Sequence, residues 1–268
     1  MLRYGDFLET SLSNEDYLSL RNLTRFRSYL ISSVSDLRRK TIAVLDQVFP
    51  EYASSFSNIF GKSSKEILIS ISTPQDFENI TMKKFAKRKI DELSSKATNS
   101  FGVKFCLDSF SLQIKLLIEQ ISFIESQVIT VEQEISILME KINSPITSIP
   151  GIGPITGAVI LGEVEDISRF SNPSKLVAYA GLDAAISQSG EFESTSNRMS
   201  KRGSPYLRKA LFQSALRAEF CDPVFSNYYQ KKISQGKHHL VATNAVARKL
   251  CHTIFAILSK NESYLSQM

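Results

Sequence analysis

Hydrophobic residues in the middle of the chain recur at alternating spacings of three and four, without a break, for five heptads. They are Leu107, Phe110, Ile114, Leu117, Ile121, Ile124, Val128, Val131, Ile135, Leu138 and Ile142. This spacing is typical of a coiled-coil seam. The predicted helix is about 50 Å long at about 1.5 Å per residue, so it needs a partner helix to cover its apolar side.

An earlier segment repeats the pattern and offers one partner. Its seam positions are Leu20, Leu23, Leu30, Val34, Leu37, Val44 and Val48, with Arg27 and Thr41 as two polar interruptions. The two helices can form an antiparallel hairpin within one chain. Alternatively, the later helix pairs with its own copy in a dimer, with polar seam residues selecting the register. The sequence leaves both arrangements open.

Between these helices, residues 50–104 carry only short helical patches. Turn signals stand at Gly61 and Pro74, and the basic run "MKKFAKRK" follows. We interpret this stretch as a small helical insertion. The sequence therefore predicts a first domain over residues 1–143, a coiled-coil region with an insertion at about 50–104.

The seam ends at "NSPITSIPGIGPITGAVILGEVED", where we place the start of a second domain, residues 144–268. Pro150, Gly151, Gly153 and Pro154 predict a tight turn, after which the helical spacing resumes. This arrangement resembles the helix-hairpin-helix motif of DNA-repair proteins, in which glycines let the backbone approach a phosphate at a helix N-terminus. We predict that Gly151 and Gly153 contact DNA without reading bases. The alternative is a helical hairpin whose glycines serve packing.

Helix starts are unusually clear in the C-terminal part. A capping side chain directly precedes proline three times, at Asn172–Pro173, Ser204–Pro205 and Asp222–Pro223. A last amphipathic helix is predicted from about 239 to 260. Residues 183–200 lack a helical pattern and predict a loop or small hairpin that exposes Ser189. The fold class is mainly α.

Charge is unevenly distributed along the chain. The net charge is +5, but the stretch from Arg198 to Lys249 holds eleven basic and two acidic residues, so it carries +9 and the remainder −4. Such an asymmetry suits a polyanion, because Lys and Arg release counterions when they neutralise phosphates. The alternative is a solvated basic face. We predict that Arg198, Lys201, Arg202 and Arg208 face DNA.

Several classes of protein are not supported. No apolar run reaches the roughly 18 residues of a membrane span, and "MLRYGDFLET" lacks the pattern of a signal peptide. We expect a cytoplasmic protein without membrane contact. Cys106, Cys221 and Cys251 are far apart and outside any metal-ligand spacing, so we expect reduced core thiols and no metal ligands.

Several motifs in order carry a resemblance: "SIPGIGPITGAVILGEVEDISRFSNPSKLVAYAGLD", then "SG", "MSKRGSPYLRKALF" and "AVARKL". Together they resemble the C-terminal transposase domain of the insertion sequence 110 family, RNA-guided recombinases related to the Piv invertases. The resemblance covers about residues 144–258. The preceding coiled coil also matches the layout of the family.

The resemblance implies a catalytic serine. In that family a serine directly before glycine, after the "AYAGL" segment, attacks a DNA phosphodiester, and the matching residue is Ser189 before Gly190. The nearby basic residues are then expected to stabilise the negative charge that builds on the phosphate. One departure is local: the family often has Thr-Pro-Arg after "AYAGL", where this chain has Asp183, Ala184 and Ala185.

The resemblance also implies partners and a metal. Family members carry an N-terminal RuvC-like domain whose four acidic residues bind a divalent metal, Mg. "LRYGDFLE" corresponds to the stretch after those acids, so we expect this chain alone to bind no cofactor and to be inactive. The expected partners are DNA, a guide RNA and further copies of the chain through the coiled coil. Two alternatives stay open: a non-catalytic dimeric DNA- or RNA-binding remnant of a transposase, and a purely structural coiled-coil protein.

Overall fold

The computed structural model of the chain describes residues 14–79, 87–183, 188–189, 192–193 and 199–266. The α-helices within them are α1 (Glu15–Val48), α2 (Lys62–Ser70), α3 (Lys87–Thr98), α4 (Leu107–Ile142), α5 (Pro154–Val164), α6 (Pro173–Tyr179), α7 (Pro205–Cys221), α8 (Pro223–Ser234) and α9 (His239–Lys260). Between α6 and α7 lie two short strands, β1 (Gln188–Ser189) and β2 (Phe192–Glu193). The predicted mainly α fold is confirmed.

The chain divides into two compact units. The first combines Met1–Phe26 with Val131–Met268, and the second is Arg27–Thr130. The boundary predicted between residues 143 and 144 lies inside the first unit, where the last part of α4 and the first turns of α1 accompany the C-terminal helices.

Helices α1 and α4 run antiparallel within one chain, which decides between the two arrangements that the sequence left open. In the second unit, Arg38 of α1 donates a hydrogen bond of 2.7 Å to Glu125 Oε1 of α4. In the first unit, Lys141 near the end of α4 lies 2.7 Å from Asp16 at the start of α1. The polar seam residue Thr41 is buried and donates to its own helix, to the Leu37 carbonyl at 2.9 Å.

The seam and the insertion share one core in the second unit. Its buried side chains are Val34, Val44, Leu45, Phe49, Tyr52, Ile67, Leu68, Ile71, Phe77, Leu93, Ile114, Ile118 and Ile121. The Tyr52 hydroxyl donates to the Ser64 carbonyl at 3.1 Å, so its burial leaves no unmet hydrogen bond. Burial raises the pKa of Tyr52. The predicted insertion is thus helical and packs on the coiled coil.

The three helix starts predicted from capping side chains are confirmed. Asn172 Oδ1 accepts from Lys175 N at 3.1 Å, Ser204 Oγ from Leu207 N at 3.2 Å, and Asp222 Oδ1 from Val224 N at 2.9 Å. Each proline occupies the first turn, where the missing N–H would have had no partner in the helix. Helix α9 also has the predicted bounds.

All three cysteines are free thiols, but only Cys251 lies in the core. Burial raises the pKa of Cys251 to about 12. Cys106 and Cys221 are exposed, so the expectation of core positions was wrong for these two. In the described part of the chain no helix has the length and hydrophobicity that crossing a bilayer requires.

Candidate nucleic-acid interface and serine loop

Residues 183 and 200 form the two ends of the segment that carries Ser189, here called the serine loop (residues 184–199). Ser200 N donates to the Asp183 carbonyl at 2.9 Å, and Lys201 N donates to the Gly181 carbonyl at 3.1 Å. The Ser200 hydroxyl also hydrogen bonds the Asp183 carboxylate. The two ends of the serine loop are therefore hydrogen-bonded to each other, and we call these paired ends the closed base of the loop.

Glycines permit the close backbone contact at this base. Gly181 has a left-handed φ of 66°, which favours glycine. A Cβ on Gly203 would lie 1.8 Å from the Tyr179 carbonyl oxygen, which no side chain could tolerate. Next to Gly203, Ser204 N donates to that same carbonyl at 2.9 Å. The "SKRGSP" and "AYAGLD" segments are thus joined backbone to backbone.

Within the loop, residues 188–189 and 192–193 form a small antiparallel hairpin. A small hairpin was one of the two conformations that the sequence predicted for this segment. Gln188 pairs with Glu193, and Ser189 pairs with Phe192. The side chain of Ser189 lies outside what the structure describes, and so does all of Arg198. The nucleophile assignment therefore stays a prediction.

The structure separates the predicted DNA-facing cations into two kinds. Lys201 and Arg202 are exposed directly after the loop returns, and no carboxylate of the described residues pairs with either. Arg208 is half-buried, and its Nη1 donates to the Ala180 carbonyl at 3.1 Å and to the Gly203 carbonyl at 3.5 Å. Lys201 and Arg202 are therefore accessible cations whose contact with DNA stays a prediction, whereas Arg208 at least partly holds the base together.

The two glycines of the "PGIG" turn also differ. Gly151 has φ 88°, and a Cβ there would lie 2.4 Å from the Ser214 carbonyl of α7, so this glycine allows the turn to pack on α7. Gly153 is exposed at the start of α5, and a Cβ added to it would meet nothing within 4 Å. The geometry favours the packing alternative for Gly151. A phosphate contact at Gly153 stays a prediction.

A buried carboxylate that the sequence analysis missed connects the base of the loop to α1. Glu163 is 0% exposed at the end of α5, and Arg25 donates to both of its oxygens, at 2.6 Å and 3.0 Å. The Ser204 hydroxyl, which caps α7, donates to Glu163 at 2.8 Å. The Arg25 guanidinium also lies 5.0 Å from the Tyr206 ring centroid.

These partners keep Glu163 ionised. Burial alone would raise the pKa of Glu163, but the hydrogen bonds from Arg25 and Ser204 outweigh burial and lower the pKa below its ordinary value. The charge is therefore paired as a buried charge must be. In the sequence, the arginine and the glutamate are 138 residues apart, so no local spacing could have indicated the pair.

A second acid extends the same network. Glu165 follows α5 with a left-handed φ of 56° and accepts from Arg21 at 2.6 Å and from Arg169 at 2.9 Å. Helix α1 passes close to the end of α5, and a Cβ added to Gly162 would lie only 2.7 Å from the backbone nitrogen of Arg21. The first three turns of α1 are thus fixed on the C-terminal helices by ion pairs and by close backbone packing.

Among the residues that the structure describes, no three or more His, Cys, Asp or Glu side chains come together in a way that could hold a metal ion. The donor set of these residues therefore does not fit the divalent metal that the resemblance implies.

The segment that carries this base is similar in sequence to known transposases. Residues 143–230 match the profile described as the Transposase IS116/IS110/IS902 family. The match is confined to residues 143–230, and together with the relatives from insertion elements it supports a transposase of this family.

Individual relatives cover the chain to different extents. The IS110 43.6 kDa protein of Streptomyces coelicolor is 28% identical over 69% of the chain and 46% of its own length. The IS116 44.8 kDa protein of Streptomyces clavuligerus is 25% identical over 94% of the chain and 66% of its own length. The pilin gene-inverting protein of Moraxella bovis is 30% identical over 45% of the chain and 38% of its own length. The chain spans about half the length of the IS110 relative.

Proposed function

We propose that the protein is an insertion-sequence transposase that cuts and joins DNA, and that this chain supplies the serine nucleophile and part of the DNA-binding surface. The observation that carries the proposal is the closed base of the serine loop. Asp183, Ser200 and Gly203 hold the loop at its ends, and Lys201 and Arg202 stand exposed beside it. A relative named for pilin gene inversion, a rearrangement of DNA, supports the same reaction class.

The chemistry proposed for Ser189 is a transesterification at phosphorus. The Ser189 Oγ forms a bond to the phosphorus of a DNA phosphodiester, and the bond from that phosphorus to one deoxyribose oxygen breaks. The serine proton passes to a base, and the leaving oxygen takes up a proton. Lys201 and Arg202 stabilise the charge that accumulates on the phosphoryl oxygens.

The family resemblance implies a divalent metal for this reaction, but the described residues offer it no ligand set. We therefore derive no step through a metal. What this chain contributes is the nucleophile, its positioning by the closed base and a positive rim.

The proposed partners follow from charge and resemblance. The +9 stretch from Arg198 to Lys249 suits DNA and the guide RNA of the family, because both are polyanions. Self-association through the coiled-coil region is also proposed. Since the seam of α4 pairs with α1 of the same chain, the copies would meet on another side of the helix pair.

Replacement of the nucleophile tests the proposal. The protein is expressed from its coding DNA, including any sequence read in frame upstream of Met1, in a plasmid recombination assay. Ser189→Ala is expected to lower recombination at least about 10³-fold, since nothing replaces the attacking oxygen. DNA affinity should stay unchanged, because the serine contributes no charge.

Ser196→Ala is the matched control, since it removes a hydroxyl from the same loop and should recombine normally. Recombination by Ser189→Ala at the level of Ser196→Ala would overturn the assignment of the nucleophile. DNA binding without recombination by any variant, including the unaltered protein, would indicate a non-catalytic binding protein.

A further inference from the structure

A cavity of about 310 Å³ in the first unit opens between α8 and α9, and its lining is basic. Tyr228 of α8 lines it together with Ala245, Arg248, Lys249 and His252 of α9. The described residues contribute no carboxylate to this lining. Four of the five side chains, all except Ala245, carry a hydrogen-bond donor, so the cavity suits an anion.

Lys249 is held in place without a counter-ion. Its Nζ lies 5.0 Å from the Tyr228 ring centroid and 5.7 Å from that of Phe225, and it donates to the Val224 carbonyl at 3.3 Å. Within the described part of the chain, no carboxylate pairs with Lys249 or Arg248. Ring faces and one carbonyl neutralise an ammonium only partly, so Lys249 keeps its attraction for an anion.

Arg248 joins this cavity to the serine loop. Its Nε donates to the Leu182 carbonyl at 2.6 Å, and Leu182 directly precedes Asp183, the residue from which the loop departs. The contact uses one of the five N–H donors of the guanidinium and fixes its orientation. An anion bound by Arg248 would therefore lie beside the base of the serine loop.

We propose that this cavity binds one backbone phosphate of the nucleic-acid substrate, held by Arg248, Lys249 and His252 and by the Tyr228 hydroxyl. Arginine, lysine and tyrosine are among the side chains that commonly contact phosphate in nucleic-acid complexes. The volume lies at the small end of the roughly 300–1,000 Å³ of small-molecule sites, which suits a phosphate with its sugar better than a whole cofactor. This inference rests on the proposed function, since it adds a contact to the same substrate.

The test measures binding of the full chain to a labelled DNA duplex and to a labelled single-stranded RNA of equal length, over a series of salt concentrations. Lys249→Gln is expected to weaken binding about tenfold at fixed salt, as loss of one charged hydrogen bond does. It should also reduce the slope of log affinity against log salt by about 0.9 for duplex DNA or about 0.7 for a single strand. The nucleic acid on which the slope changes is the one that occupies the cavity.

Two further variants keep the test decisive. His252→Glu places a negative charge at an exposed position of the lining and should weaken binding at least as much as Lys249→Gln, even if the latter disturbs the packing of Phe225. Lys260→Gln is the matched control, because it removes the same charge from an exposed position of α9 outside the cavity and should leave the slope unchanged.

The outcomes separate this inference from the proposed function. If the unaltered chain binds nucleic acid and both cavity variants behave like Lys260→Gln, the cavity assignment is wrong and the proposed function stands. If the unaltered chain binds neither DNA nor RNA, both fail. Calorimetric titration with inorganic phosphate tests whether the cavity binds free phosphate instead. If phosphate binds but the variants leave nucleic-acid binding unchanged, the assignment to a backbone phosphate is also overturned.

Discussion

Gly203 lies between two backbone segments that meet only because it has no side chain. With the Tyr179 carbonyl oxygen 1.8 Å from where a Cβ would stand, any larger residue must push the "AYAGLD" segment away from the start of α7. Gly153 is the opposite case, exposed and with open space around it. The sequence predicted a turn at Gly153, but it could not show which glycine a neighbouring backbone touches.

Gly203→Ala is expected to lower the free energy of unfolding by about 1–3 kcal/mol, the usual range for overpacking. Gly153→Ala, the control, alters only the N-cap of α5 and should lower it by less than about 1 kcal/mol. Urea unfolding of the full chain measures both, and equal stability of the two variants would contradict the described packing.

Glu163 is buried, and hydrogen bonds from Arg25 and Ser204 stabilise its negative charge. Glu163→Gln should destabilise the chain by about 1–3 kcal/mol, less than for a fully buried pair, because Arg25 is 38% exposed and can still reach water. The pKa of Glu163 is lowered in the folded chain, so its stabilising contribution is present above the ordinary carboxyl pKa of 4.5 and is lost as pH falls through the folded value.

Unfolding experiments at neutral and acid pH check this sign. The difference in stability between the unaltered chain and Glu163→Gln should shrink below about pH 4. Glu134→Gln, which alters an exposed carboxylate of α4, serves as the control. A difference that grows toward acid pH would show that Glu163 is not held as an anion.

At the scale of the element, α4 has two apolar sides and only one of them is covered. The seam residues Ile114, Ile121 and Ile135 are 0% exposed, as the heptad spacing predicted. On another side of the helix, Leu112, Leu116 and Phe123 are 59%, 48% and 62% exposed within the second unit. The seam spacing alone could not give the direction of pairing, because parallel and antiparallel coils share it.

The exposed side supplies a prediction about self-association, since clustered apolar side chains on a surface often mark an interface. Phe123→Glu should weaken self-association at least about tenfold, because a carboxylate resists burial in an apolar contact. Sedimentation velocity over a range of concentrations measures this, with Ser122→Glu, at an exposed position about 100° around α4 from Phe123, as the control. An unchanged association constant would exclude Phe123 from the interface.

At the scale of the whole molecule, features that depend on neighbouring residues could be predicted from the sequence, whereas contacts between residues far apart in the chain could not. Helix starts and the seam depend on neighbours within a few residues, so one sequence was sufficient for them. The first unit instead depends on contacts such as Arg25 with Glu163, 138 residues apart, and the "GEVED" acids look like ordinary surface charges in the sequence. The site was predicted through the motif order, and its assembly around the closed base came from the structure.

Mapping a covalent protein–DNA adduct shows directly whether Ser189 is the nucleophile. The protein, expressed with any coding sequence in frame upstream of Met1, is reacted with DNA, digested with trypsin and analysed by mass spectrometry. Trypsin cuts after Lys175 and Arg198, so Ser189 falls in one peptide with Ser187, Ser194 and Ser196, and fragmentation separates them. We expect a phosphodiester adduct on Ser189 that disappears in Ser189→Ala and persists in Ser196→Ala. An adduct on another residue, or one that survives Ser189→Ala, would contradict this expectation.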